Sequence, residues 1–409
     1  MDQDSRTTSP AMMEISLPAI ARNQMAERIR GFGTSVFAEI SALAKELGAV
    51  NLGQGFPDFD GPEEIRRLAA EAMETGRNQY AISSGEPALR EAVAAHSLRF
   101  YGREINPATE VTVTTGATEA LFCCALAFVE PGDEVIVLEP CYDSYVPGIR
   151  MAGGTPVPVT LHAPSFRFNP DELRAAFTPR TKAIYINTPH NPTGAVFPRE
   201  DLELIASLCI EHDVLAITDE VYEHIVFAPA EHIRLATLPG MWERTVAISS
   251  GGKSFSFTGW KVGWAIGPEH LQSALRRVHQ FVVFASTTPL QHAIAGALGL
   301  PDSYYEALAQ DYRDRRDFLM SVLDSVGLRP RMPDGSYFII ADVEGISSMN
   351  GTDFSRFLIR EIGVAAIPLD SFYLRPEHGE RLVRFCFCKN WDTLRAAAGR
   401  MERLASVTP

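Results

Sequence analysis

Ala183-Ile184-Tyr185-Ile186-Asn187, Leu215-Ala216-Ile217-Thr218 and Val246-Ala247-Ile248-Ser249 are short apolar runs rich in β-branched and aromatic residues. Each has the length and composition of a buried strand. A helical pattern over Arg199–His212 separates the first two. The same rhythm runs upstream: strand Val111–Val113, helix Ala117–Phe128, strand Glu134–Leu138 and a helix over Tyr142–Ala152. Pro131-Gly132-Asp133, Gly153-Gly154 and Pro239-Gly240 punctuate it as turns. Strands alternating with helices in this way build βαβ units, so residues 111 to about 267 predict an α/β layer with a mostly parallel sheet between helices.

Beyond Pro301 the texture changes. A charged amphipathic helix over Ser303–Val326 precedes a strand Ser336–Asp342, a helix Asp353–Glu361, a strand Val383–Phe387 and a final helix Trp391–Leu404. This predicts a smaller α+β domain over 301–409, after a large domain over 61–300. Residues 1–60 carry no sheet pattern and are expected to form an arm packed on the small domain. The opening Met1-Asp2-Gln3-Asp4-Ser5-Arg6 lacks an apolar segment and does not read as a secretory signal; ordered chain is expected from about Glu14.

The chain has 409 residues and a formal net charge of -14, which offers nothing to a phosphate backbone, so nucleic acid is not an expected partner. No apolar run approaches the roughly 18–20 residues that span a bilayer, so no membrane association is expected. Six cysteines (Cys123, Cys124, Cys141, Cys209, Cys386 and Cys388) show no C-x-x-C spacing, and H-E-x-x-H is absent, so no metal site is expected. They read as buried reduced thiols of a cytoplasmic protein.

Five segments carry chemistry. In Ser249-Ser250-Gly251-Gly252-Lys253-Ser254 the Gly-Lys-Ser triplet fails as a phosphate loop, because position 247 is Ala247 and not glycine. What remains is a strand and a small-residue turn presenting Lys253, either as a solvated loop lysine or as a carbonyl-trapping amine. Lys261, eight residues on, is a candidate neighbouring cation or phosphate ligand. Asp219 follows the strand over 215–218, where it can cap a helix or hold a cationic ligand, since ligands gather beyond carboxyl ends of such strands. Asn187-Thr188-Pro189-His190-Asn191-Pro192-Thr193-Gly194 is a rigid turn whose Asn191 amide can serve a ligand or simply the turn. His190 within it is expected to face solvent. Thr114-Thr115-Gly116-Ala117-Thr118 leads a strand into a helix start, a weak anion site. Arg384, inside the apolar strand Leu382-Val383-Arg384-Phe385, needs a carboxylate, from a substrate or from an internal Asp or Glu.

Together these parts serve one purpose, and the chain resembles a known family. The stretches Asn51-Leu52-Gly53-Gln54-Gly55-Phe56-Pro57-Asp58-Phe59, Asn78-Gln79-Tyr80, Asn187 to Gly194, Thr218-Asp219-Glu220-Val221-Tyr222, and Gly252-Lys253 through Thr258-Gly259-Trp260-Lys261-Val262-Gly263-Trp264 stand in its order. They are similar to class I aminotransferases of pyridoxal 5′-phosphate (PLP) fold type I, in the methionine aminotransferase and kynurenine–oxoglutarate transaminase subgroup. The resemblance runs from about Ile29 to Leu404. It implies a mostly parallel seven-stranded sheet in the large domain and a homodimer with shared active sites. By the same resemblance, Lys253 would hold PLP covalently and Asp219 would pair with the pyridine N1–H. Asn191 and Tyr222 would bond the phenolic oxygen, and Tyr142 would stack on the ring. Gly116, Ala117, Thr118, Ser250 and Lys261 would hold the phosphate, with Tyr80 from the partner subunit. Arg384, Asn191 and Gly55 would take the substrate carboxylate, and Phe37, Tyr142 and a partner Phe284 would line its side chain. Many relatives carry arginine where Lys261 stands, so the phosphate contact here is single-point. No arginine aligns with the position that binds a dicarboxylate side chain, which argues against aspartate. Ala285 replaces a larger polar residue of kynurenine-type relatives, which favours methionine. The implied reaction moves an amino group between amino acids and 2-oxo acids. A β-lyase acting on cysteine S-conjugates shares the same parts. A non-enzymatic regulator of this fold would need an added DNA-binding domain, for which the residues before the match are too few.

Overall fold

The computed structural model describes residues 24–33 and 36–407. The opening Met1–Arg6 and the expected start of order near Glu14 lie outside the described residues.

The large sheet contains Val111–Thr114 (β1), Glu134–Glu139 (β2), Thr155–His162 (β3), Arg167–Phe168 (β4), Thr181–Asn187 (β5), Leu215–Asp219 (β6), Thr245–Ser250 (β7) and Gly263–Ile266 (β8). Their order is β1-β8-β7-β6-β5-β2-β3-β4. Strands β3, β2, β5, β6 and β7 pair in parallel, while β8 runs antiparallel to both β1 and β7. The expected seven strands are present, with one addition: two-residue β4 hangs antiparallel on the edge of β3. Strands β2, β5, β6 and β7 are almost wholly buried, as a parallel sheet covered on both faces requires. Helix α1 (Gly116–Phe128) follows β1, and its apolar face packs with Ile149, Val137 and Leu275 in one continuous core.

Two elements differ from expectation. Strand β3 carries Pro156 and Pro158, which hid it from the sequence reading; it lies near the edge, and among the described residues its outer side is paired only at Leu161 and His162. The helix expected from Tyr142 begins at Tyr145, leaving Tyr142 in the turn above the sheet.

A second sheet orders Arg329–Pro330 (β9), Phe338–Asp342 (β10), Leu382–Cys386 (β12) and Ile367–Pro368 (β11) as β9-β10-β12-β11, all antiparallel. The helix expected over Asp353–Glu361 is α-helical through Gly351–Phe357 and widens to a π turn over Leu358–Ile362. Val50 and Asn51 pair in parallel with Val364 and Ala365, which ties the N-terminal segment to this second unit. Among the described residues, no helix is long and apolar enough to cross a membrane.

Candidate active site

The carboxyl ends of the parallel strands meet at one cavity of about 220 Å³. Strand β6 delivers Asp219 to it, β7 runs through Ser250 into the one-turn helix bearing Lys253, and β5 ends at Asn187 before the turn bearing Asn191. Gly116, Ala117 and Thr118 at the start of α1 form another wall, with Tyr142, Tyr222 and Lys261. Gly55 and Phe37 from the N-terminal segment and Arg384 from β12 close it. This is the crevice where doubly wound sheets bind ligands.

Asp219 is buried, with 5% of its surface exposed. Its Oδ2 accepts a hydrogen bond from Tyr145 Oη at 2.7 Å, and its Oδ1 a longer one from the Val221 N–H at 3.3 Å. No cation pairs with it among the described residues, and burial pushes its carboxyl up to about 6 against those hydrogen bonds and the charge of Lys253. A carboxylate buried without a counter-charge fits a ligand that brings its own cation, such as a protonated pyridine nitrogen.

Around Asp219 the backbone is clamped. Asn187 Nδ2 donates to the Asp219 carbonyl at 2.8 Å, and Asn187 Oδ1 accepts from the Asn191 N–H at 2.6 Å. Asn187 thus ties the ligand-facing turn to the strand end. His190 corrects an expectation: it is buried, with Nδ1 2.7 Å from Thr193 Oγ1, and burial depresses its ring to about 3. It is a neutral structural bridge within the turn.

Lys253 Nζ donates to Tyr337 Oη at 2.8 Å and lies 3.4 Å from the Gly55 carbonyl. Withdrawal from water lowers its amine below the ordinary lysine range, although Asp219 opposes this. A depressed lysine is a better nucleophile toward a carbonyl. The sequence reading missed Tyr337. Its only signal was a tyrosine at the start of an apolar strand, which reads equally well as core.

Opposite, α1 presents its first N–H groups beside Lys261. Gly116 sits at φ +76°, and a Cβ there would come 3.0 Å from Lys261 Nζ. A Cβ on Gly263 would meet the Ala117 nitrogen at 2.7 Å, so the strand packs directly under the helix start. Helix N-terminus, ammonium and the hydroxyl-bearing Thr118 and Ser250 line one end of the cavity. That donor set suits a phosphate, so the residues present fit PLP at both of its ends.

Arg384 is 1% exposed. Its Nη1 donates to Asn191 Oδ1 at 2.8 Å and its Nη2 to the Gly53 carbonyl at 2.9 Å, while Nε has no partner among the described residues. The guanidinium lies 4.1 Å from the Phe338 ring and 5.2 Å from that of Phe37. Among the described residues no carboxylate lies within ion-pair distance of it, so an internal Asp or Glu is not its partner.

Two expected residues stand outside this cavity. Tyr80 is 87% exposed and packs edge-on against the exposed Phe284, ring centroids 5.4 Å apart. The six cysteines are free and buried. His96, Glu223 and His224 offer metal-type donor atoms within 4.8 Å of one another. Glu223, however, is engaged by Arg234, Tyr101 and Ser249, and the two histidine Nε2 atoms are 2.7 Å apart. Tetrahedral donors about 2.0–2.1 Å from zinc sit roughly 3.3 Å apart, so this arrangement is a hydrogen-bonded network.

Comparison with known proteins agrees with this geometry. Residues 48–401 match the family model for aminotransferase class I and II. A probable N-succinyldiaminopimelate aminotransferase of Mycobacterium tuberculosis is 45% identical over 389 residues, covering 92% of this chain and 98% of that protein. Kynurenine–oxoglutarate transaminase 3 of Mus musculus is 42% identical, covering 91% and 88% respectively. The crystal structure of an Escherichia coli protein with a methionine aminotransferase function superposes with a TM-score of 0.90 at 40% identity, covering 93% of this chain and 99% of that one. The chain belongs to the class I and II aminotransferases, enzymes that work with pyridoxal 5′-phosphate.

Proposed function

We propose that this aminotransferase moves the α-amino group of methionine or an aromatic-type amino acid to a 2-oxo acid by a ping-pong mechanism. The observation that carries the reading is the convergence of Lys253, Asp219 and Arg384 on one cavity. Bound there, PLP supplies an electron sink for a Cα carbanion. Asp219 would keep the pyridine nitrogen cationic, and Arg384 would orient the substrate by its carboxylate. Asn191 and Tyr222 would bond the phenolic oxygen, while the start of α1, Ser250 and Lys261 would hold the phosphate. Lys253 would hold the cofactor through its amine, and the freed Nζ would be the base that carries the Cα proton.

The substrate preference rests on the wall left for the side chain. Phe37, Tyr142 and Phe338 line it, and the cations at the cavity are Lys253, Lys261 and Arg384. Each of these already has a role, so no described cation remains for a side-chain carboxylate. A second reading, transfer from N-succinyldiaminopimelate, is favoured by the 45% identity to the mycobacterial relative. Kynurenine transamination and β-lysis of cysteine S-conjugates share the same cofactor site. The test is a panel of single half-reactions followed by the spectral change from the PLP to the pyridoxamine form, with methionine, phenylalanine, kynurenine, aspartate and N-succinyldiaminopimelate as donors. Methionine or phenylalanine should react fastest. A fastest reaction with N-succinyldiaminopimelate would replace the first reading by the second. Pyruvate and a thiol released without any added 2-oxo acid would mark the lyase.

We also infer a homodimer with shared sites. Phe281 is 90% exposed, and Ile82, Val282, Val283 and Phe284 are exposed along with Tyr80, an apolar set of side chains that solvent does not favour. Tyr80 would then reach the partner's phosphate and Phe284 the partner's side-chain pocket. Six free thiols fit a reducing, cytoplasmic location.

A further inference from the structure

The reading of Lys253 as the PLP-holding amine leaves open what aims that amine before it reacts. Tyr337 begins the segment leading into β10 and is fully buried. Its hydroxyl has a single proton, which it donates to the Gly55 carbonyl at 2.7 Å. Toward Lys253 Nζ, 2.8 Å away, the oxygen can therefore only accept. The amine must spend an N–H on Tyr337, so its lone pair points elsewhere, toward the cavity. The ring is fixed by edge contacts with Tyr222 at 5.0 Å and Phe338 at 4.8 Å. Burial raises the phenol well above its ordinary range, so it remains a neutral hydroxyl throughout.

We propose that Tyr337 is a positioning residue that orients the lone pair of the free Lys253 amine. Two moments use this orientation, and the proposal rests on the assignment of Lys253 above. When the cofactor loads, the amine nitrogen attacks the PLP aldehyde carbon. A C=N bond forms, and the carbonyl oxygen leaves as water with the two amine protons. During turnover the substrate amine displaces Lys253, and the same oxygen pair, Tyr337 Oη and the Gly55 carbonyl, receives the released amine and keeps it aimed at Cα. Tyr337 transfers no proton in either event. The largest other charge effects on the amine come from Cys388, Cys386, Asp219 and Lys261, and the Tyr222 ring also faces it, 5.6 Å from Nζ. Among the described residues, the hydrogen-bond partners of Nζ are instead Tyr337 Oη and the Gly55 carbonyl.

The experiment mixes full-length apoprotein with PLP and follows covalent capture by absorbance across pH, for wild type, Tyr337→Phe and Tyr312→Phe. Tyr312 belongs to the same aromatic cluster, 5.8 Å from the Tyr337 ring, and serves as the packing control. Thermal unfolding checks that each variant folds, and Phe keeps the ring contacts of Tyr337. Wild type and Tyr312→Phe should capture PLP alike. Tyr337→Phe should reach a high-pH plateau rate about tenfold lower, the effect of losing one neutral hydrogen bond that sets geometry. Its pH midpoint should also move down, because the ammonium loses an acceptor. In turnover, kcat should fall with KM little changed. If Tyr337→Phe matches wild type in both plateau and midpoint, or if the two variants lose rate equally, the positioning role is refuted. If wild type itself captures no PLP, the assignment of Lys253 fails instead, a separate outcome.

Discussion

Replacing Asp219 by Asn should stabilise the apoprotein at pH 8 while it cripples the enzyme. The folded-state value of Asp219, about 6, lies above its ordinary 3.8. A group raised in this way contributes stability that is fully present below the unfolded value and is lost as pH rises through the folded one. At 1.36 kcal/mol per tenfold, the complete loss is about 3 kcal/mol, about half of it gone by pH 5 and the rest lost between pH 5 and 8. Asn carries no charge and avoids this loss. It cannot serve both present contacts, because its single carbonyl can accept from Tyr145 Oη or from the Val221 N–H but not from both. That costs about 1 kcal/mol at every pH. The Asp219→Asn apoprotein should therefore be about 2 kcal/mol more stable than wild type at pH 8, and the gap should widen by about 1 kcal/mol from pH 5 to pH 8. The widening is the sharper quantity, since the hydrogen-bond cost cancels from it. Urea unfolding of both apoproteins at the two pH values measures it. With PLP loaded the ranking should reverse, and turnover should fall at least about 100-fold. A gap that stays flat between pH 5 and 8, or that narrows, would refute the claim that Asp219 is a buried carboxylate waiting for a ligand's cation.

Three further outcomes are expected. Lys253→Ala should abolish multiple turnover while PLP still binds without a covalent bond, measured by steady-state assay and by dialysis; normal turnover would reject the assignment. Arg384→Gln should lower kcat/KM for amino acids on the order of 100-fold or more, because it removes a buried charged partner of the substrate carboxylate, with PLP affinity unchanged. An equal loss in PLP affinity would show that Arg384 serves the cofactor. Phe281→Glu should convert a dimer to a monomer in light scattering and weaken PLP retention, since Tyr80 would no longer reach the partner's phosphate. A wild type that runs as a monomer would dispose of the shared-site reading.

The parallel strands were readable because their signal is local: Ala183–Asn187 and Leu215–Thr218 are buried on both faces and so are apolar almost without interruption. Strand β3 was not, because two prolines mask a strand whose outer edge needs few donors. Asp219, Lys253 and Asn191 were legible as strand-end or turn residues, although each had an ordinary structural alternative until the others were found beside it. Tyr337 could not be read out. Its hydroxyl matters only because the carbonyl of Gly55, 282 residues earlier in the chain, stands where it accepts the hydroxyl's hydrogen bond. The solvent position expected for His190 failed for a related reason: local composition says turn, and only the tertiary packing buries it.

Neighbouring residues on one loop show what separates structural charge from functional charge here. Glu220 adjoins Asp219 and is as deeply buried, yet it is fully compensated. Arg234 donates to it through Nε at 2.7 Å and to Glu223 at 2.8 Å, and His232 lies 3.3 Å away. Burial alone would raise both glutamates, but Arg234 overrides it and holds each below the ordinary carboxylate range. Among the described residues Asp219 receives no such partner, and neither does Arg384. Leaving a buried carboxylate and a buried guanidinium uncompensated costs stability, and a second Arg234-like residue could have removed the cost at Asp219. The two unmatched charges face the same cavity as the depressed Lys253 amine. Their signs and positions suit the proposed assignment, in which Asp219 would face a cationic ring nitrogen, Arg384 an anionic carboxylate, and Lys253 a carbonyl carbon between them.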